Sequence, residues 1–179
     1  MPSYGRQAAG MGSAVSRGSL EVMSELKGSP AAPRAWAKLL EHYLGGLGYP
    51  KATMGLLFCG DRRSHSLNKS WMGKDRPTDV LSFPLTEGRP KPGFAGHLGE
   101  VVINLPYIRR KLGRYADTLE SEAAFLVLHG TLHLIGIHHD SARQEAAMWR
   151  ISRRNFPPPP AVLRGLALTK KTRKPSRAH

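Results

Sequence analysis

"SEAAFLVLHGTLHLIGIHHD", residues 121–140, decides how the rest of the chain is read. Its opening run, "SEAAFLVL", is mostly apolar and free of Gly and Pro, so it predicts a helix entering the histidines. Residues 129–140 then hold four of the chain's eight histidines. His129 and His133 stand four positions apart, and such positions share one helix face, so both imidazoles can address one ion. Gly136 ends the helix and lets the chain turn back. A histidine just beyond it then approaches the same ion from another side. His138 and His139 both lie there, and the Gly-x-x-His spacing favours His139. Three such nitrogens with an open position form the pattern of a catalytic rather than a purely structural zinc. Nickel or copper would accept the same ligands. Asp140 has two equal readings, orienting an imidazole from behind or capping the next helix.

The spacing of His129, His133 and His139 matches that of metzincin peptidases, H-E-x-x-H-x-x-G-x-x-H. Where the peptidase has Glu, however, this chain has Gly130. The peptidase needs that carboxylate to take a proton from metal-bound water. A metallopeptidase is therefore the weakest of the readings.

Charge points elsewhere. Twenty-seven Lys and Arg against 13 Asp and Glu give +14 over 179 residues. A surface of that sign attracts polyanions, nucleic acid above all. No amphipathic basic helix or long apolar run argues for a membrane. No acidic residue follows Glu145, whereas "KKTRKPSR" near the end resembles tails that bind phosphate with little sequence preference. The single cysteine, Cys59, excludes an internal disulfide framework, fits a reducing compartment, and in "GLLFCG" reads as a buried, inert thiol. A cytoplasmic protein is expected. An organelle is the alternative if the Arg-, Ser- and Gly-containing start is a transit peptide.

Element signals follow. Residues 1–18 read as a disordered lead-in, 19–156 as one domain, and 157–179 as a basic, Pro-containing disordered tail. Within the domain, strands are expected in "ATMGLLFCG", "DVLSFPL" and "LGEVVINL", while "SLEVMSEL" suits a first strand or equally a short helix. Helices are expected in "APRAWAKLLEHYLGGLG", in "DRRSHSLNKSWMG" with Asp61 as its cap, and in "ARQEAAMWRISRRNF". "YIRRKLGRYADTLESEAAFLVLHGTLHLIG" should hold two helices broken near Asp117. The fold class is α+β: a small mixed sheet with packed helices and a metal site at the end of a central helix.

With these residues in view, the sequence resembles the YbeY-type metal-dependent endoribonucleases, rRNA maturation factors. The resemblance rests on "HGTLHLIGIHH", "LNKSWMGKDRPTDVLSFP", the intervening "LGEVVIN", and Glu145 and Met148 after the metal site. It covers most of residues 52–150. It implies zinc on His129, His133 and His139, and single-stranded ribosomal RNA as substrate during processing and ribosome quality control. A ribosomal subunit or ribosomal proteins become candidate partners, with no obligate protein partner indicated. Two positions depart from the family pattern. His138 stands where Asp is usual, and Met72 stands where the "LNxxW" segment is usually followed by an arginine important for activity. A thioether cannot bind phosphate.

Lys74 and Arg76 are the nearest cations in sequence and are the expected catalytic pair lining the approach. Lys69, Lys74, Arg76, Arg109 and Arg110 are the expected RNA contacts, although "RRKLGR" (109–114) also reads as a solvated helix face. Trp71 and Trp149 could stack bases or pack at a rim. RNA brings its own nucleophile, the 2′-hydroxyl, so the absent glutamate matters less to a nuclease than to a peptidase. Asp79 reads as a backbone cap, and Ser82 lacks a base at motif spacing. The rival reading is a non-catalytic ribosome- or RNA-binding protein with a structural metal.

Overall fold

The computed structural model describes residues 20–168 apart from 28, 30 and 31. Four strands, β1 (Glu21–Ser24), β2 (Thr53–Cys59), β3 (Val80–Pro84) and β4 (His97–Asn104), form one sheet in the order β1-β2-β4-β3. β1 and β4 both run parallel to β2, and β3 closes the edge antiparallel to β4. The sheet is therefore mixed, as expected. Six helices surround it: α1 (Pro33–Gly46), α2 (Asp61–Met72), α3 (Leu105–Arg110), α4 (Leu119–Leu134), α5 (Ala142–Asn155) and α6 (Pro160–Gly165).

Every residue of β2 is buried, which is why "TMGLLFC" shows no polar alternation: a central parallel strand is covered on both faces. Alternation divides its side chains instead between two layers. Met54, Leu56 and Phe58 join Val101 and Ile103 of β4 against α1 and α4, in the larger core. Leu57 and Cys59 join Val102, Leu81 and Leu67 beneath α2. Burial pushes the Cys59 thiol up to about 12, with nearby Glu25 a smaller influence in the same direction. The reading of an inert thiol fits this environment.

Two expectations need correcting. Asp61 does not cap α2. Gly60 occupies that position, and Asp61 lies in the first turn, where its carboxylate accepts two bonds from Arg110 and one from the Asn104 amide. A carboxylate in the first turn still favours the helix through its dipole, so the sequence signal was real and one residue displaced. The second correction concerns 157–168, read as part of a disordered tail. Pro160 starts α6 where its missing N–H costs nothing. Leu166 and Leu168 then pack into the larger core, and the Trp36 indole of α1 donates to Ala167 O at 3.2 Å. Four successive prolines masked a short, packed helix. Residues 1–18 and the basic run from 169 lie outside the described residues, and among those described no helix is long and apolar enough to cross a membrane.

Candidate metal centre

α4 positions the first two histidines. Thr118 caps it, its side chain accepting from Ser121 N–H, and Glu120 and Glu122 sit in the first turn. Buried residues almost encircle the helix, so its orientation is fixed by packing. At Gly130 the helix lies close against the sheet. A Cβ there would lie 2.8 Å from Val101 Cγ1 and 3.0 Å from Ser82 Oγ. The Ser82 hydroxyl donates to Gly130 O, so it serves helix–sheet packing and is not a nucleophile. The lack of a glutamate at 130 thus has a steric basis, since no side chain fits between α4 and the sheet.

α4 ends at Leu134, and Gly136 turns the chain with φ 74°. A Cβ at Gly136 would also press on the backbone of Gly88 and Arg89, 3.1 Å away. This tight exit returns His139 to the helix face. His129, His133 and His139 offer ligand nitrogens all within 4.8 Å of one another, with Nε2 of His129 and His133 3.1 Å apart. Tetrahedral zinc with bonds of about 2.0–2.1 Å sets nitrogens about 3.3 Å apart, so the donors fit such an ion after small adjustment. Burial, with the neighbouring imidazoles adding to it, brings the His133 value down to about 4. His129 is lowered too, first by burial and then by His139. These two ligands are neutral at pH 7, the form that binds metal.

His138 answers a different need. Its Nδ1 lies 3.2 Å from Nδ1 of His133, whose other nitrogen faces His129. It holds the ring from behind and does not compete for the third ligand position. The capping position of α5 belongs to Ser141, whose side chain accepts from Gln144 N–H, not to Asp140.

The predicted cations are not gathered in the same way. Lys69 is exposed and paired with Asp75, which also meets His65. Lys74 and Arg76 are exposed on the loop after α2, and that loop is fastened to α2: the Asn68 amide donates to Arg76 O, and Ser64 Oγ donates to Thr78 O. Arg109 is exposed at the end of α3, and Arg110 grips Asp61, holding that carboxyl below the usual carboxylate range. Among the described residues, no hydrogen bond or ion pair ties Lys74 or Arg76 to the histidines. Met72 is 44% exposed in the last turn of α2.

Sequence reasoning missed the pairing of Asp79 with Arg114. Asp79 accepts from Val80 N–H and Thr78 Oγ, the backbone-capping role expected of it, and its charge also acts on His129. Arg114 reaches within 3.8 Å of the Asp79 carboxylate. The only signal available for Arg114 was its place in a basic run.

Comparison with known proteins agrees with this geometry. The family model for Endoribonuclease YbeY matches residues 28–156. Endoribonuclease YbeY of Pelotomaculum thermopropionicum is 39% identical over 136 residues, 72% of this chain and 90% of the relative. That of Geobacter sulfurreducens is 33% identical over 126 residues, 70% of this chain and 84% of the relative. The solution structure of a Thermotoga maritima protein superposes with TM-score 0.50 at 25% identity, covering 76% of this chain and 89% of that one. This chain belongs to the YbeY endoribonuclease family.

Proposed function

We propose that the protein is a zinc-dependent endoribonuclease that cuts single-stranded ribosomal RNA during rRNA maturation and ribosome quality control in the cytoplasm. The observation that carries this reading is the convergence of His129, His133 and His139 on one point, two of them held neutral by burial. The names of the relatives support the RNA-cleaving class, and the net charge of +14 supports a polyanionic substrate.

When bound, zinc would supply a Lewis acid for a phosphoryl oxygen and a bound water with a pKa of about 7. The chain's own residues do the rest. His138 fixes the His133 ring, Gly130 lets α4 lie close on the sheet, and Lys74 and Arg76 line the approach to the site. The ribosomal subunit is the proposed setting, with RNA as the direct partner.

The test pairs metal content with cleavage of a labelled single-stranded rRNA fragment, for wild type and His133→Ala. One equivalent of zinc and cleavage that both vanish in the variant would support the reading. Metal without cleavage above the variant's background would favour the non-catalytic binding protein. Exposed Met72 in place of a phosphate-binding arginine is the feature that keeps that rival open.

A further inference from the structure

The histidine stripe of α4 continues one turn backwards into an aromatic surface. Phe125, His129 and His133 are spaced four apart, so all three lie on one helix face, with about 6 Å of rise per step. The Phe125 ring stacks on Tyr115 at 4.5 Å with an interplanar angle of 24°, and on Trp149 of α5 at 5.8 Å with an angle of 26°. Phe125 is buried, whereas Trp149 is 39% exposed. Trp149 thus lies nearly parallel to a buried ring and keeps more than a third of its surface exposed, as a side chain that extends the stack outward would. The Arg114 guanidinium carbon lies 5.1 Å from the Tyr115 ring centre. Through Asp79, Arg114 is also joined electrostatically to His129.

The surroundings of Trp149 are basic. Arg150 and Arg153 of α5 are exposed, Arg153 one turn beyond Trp149, and Glu145 one turn before it is the last acidic residue of the chain. Aromatic rings interleaved with cations beside a metal site match one class of ligand best, a single strand of nucleic acid. Its bases stack on the rings without regard to sequence, and its phosphates meet the cations. A duplex keeps its bases stacked on each other and gains nothing from the rings.

We infer that Trp149 and Tyr115, with Arg114 and Arg153, hold the single-stranded RNA next to the nucleotide placed at the histidines. This rests on the ribonuclease reading above and adds to it a substrate-positioning surface on the α4–α5 side. Trp149 and Arg114 are positioning residues, since neither touches the histidines.

The experiment titrates zinc-loaded full-length protein with a nuclease-resistant 2′-O-methyl single-stranded oligonucleotide, following tryptophan fluorescence, and in parallel measures cleavage of the unmodified strand. Stacking predicts quenching that survives Trp71→Phe but disappears in Trp149→Leu, together with about tenfold weaker binding. KM should rise with kcat unchanged, because binding common to ground and transition states is lost. Trp149→Phe should keep binding within about threefold of wild type, since phenylalanine retains a stacking face. Arg114→Gln, an exposed change, should weaken binding and lower the salt slope by about 0.7. Duplex of equal length should bind wild type and both Trp149 variants alike.

Zinc content and thermal midpoint identify a Trp149→Leu chain that has failed to fold. In that case Arg114→Gln and the wild-type quenching decide. Wild-type affinity and quenching in a folded Trp149→Leu, with RNA still cleaved, would overturn this inference and leave the ribonuclease reading intact. A wild type that neither binds nor cleaves RNA would overturn both.

Discussion

The two layers that flank the sheet are built on opposite plans. On one side α4 is a nearly all-buried helix whose polar groups are few and fixed: two neutral imidazoles, a glycine pressed on Val101, and Ser82 tied to the helix backbone. On the other, α2 buries little beyond Ser64, Leu67 and Asn68, and holds its charges at the surface as Lys69–Asp75–His65 and Asp61–Arg110. The difference separates a candidate metal site from a set of exposed ion pairs. Metal ligands need neutral nitrogens held at fixed distances, which dense packing supplies. Exposed cations keep solvent and reach, and Lys69 and Arg110 are paired with the carboxylates of Asp75 and Asp61.

Gly130 is the point at which this contrast is most exposed to test. Gly130→Glu places a carboxylate where even a Cβ has no room, and should cost more than about 4 kcal/mol, enough to unfold a marginal domain. Gly130→Ala should cost about 1–3 kcal/mol by overpacking, read from urea unfolding. A fully stable Gly130→Glu would show that α4 is not seated as described.

The titration of His133 gives a smaller effect. In protein stripped of metal by a chelator, its imidazole stays neutral down to about 4, against an ordinary value of 6.5. Between those values the unfolded chain binds more protons than the folded one, so stability rises with pH through this window and is lost as pH falls. Urea midpoints across it, for wild type and His133→Phe, check the sign. Identical slopes in the two proteins would remove His133 as the source.

On the α2 side, Lys69→Ala should leave the thermal midpoint unchanged, because its partner Asp75 is as exposed as it is. Any loss should appear only in RNA affinity at low salt. Met72→Arg should be the mildest change, within about 0.5 kcal/mol in stability, and should raise cleavage less than about threefold if cations beside α4 already hold the strand. A gain of about a hundredfold would move the phosphate contact to the α2 side.

Much of this was legible in the sequence because local chemistry dictated it. The apolar run into His129, the four-residue spacing and the glycine exit at Gly136 are short-range facts, and they brought three candidate ligands to one point. Strand positions were legible for the same reason, since turns and apolar runs bracket them. What escaped were contacts between segments distant in the chain. Tyr115, Phe125 and Trp149 are separated by 10 and 24 positions, and no periodicity links them. Asp61 read as the cap of α2 and lies one residue inside it, and its partner Arg110 lies 49 positions on. Helix α6 was hidden because proline speaks against a helix everywhere except at its first turn, where Pro160 stands.

The sealed position of Cys59 has a practical side. The chain's one thiol is fully buried and held out of its reactive ionised form, so maleimide reagents at neutral pH should pass it by. A cysteine placed at exposed Ser70 would then take a fluorophore alone, without a cysteine-free background being made first. The native protein comes prepared for single-molecule work, and a dye on the α2 surface would report the arrival of a labelled RNA strand by energy transfer.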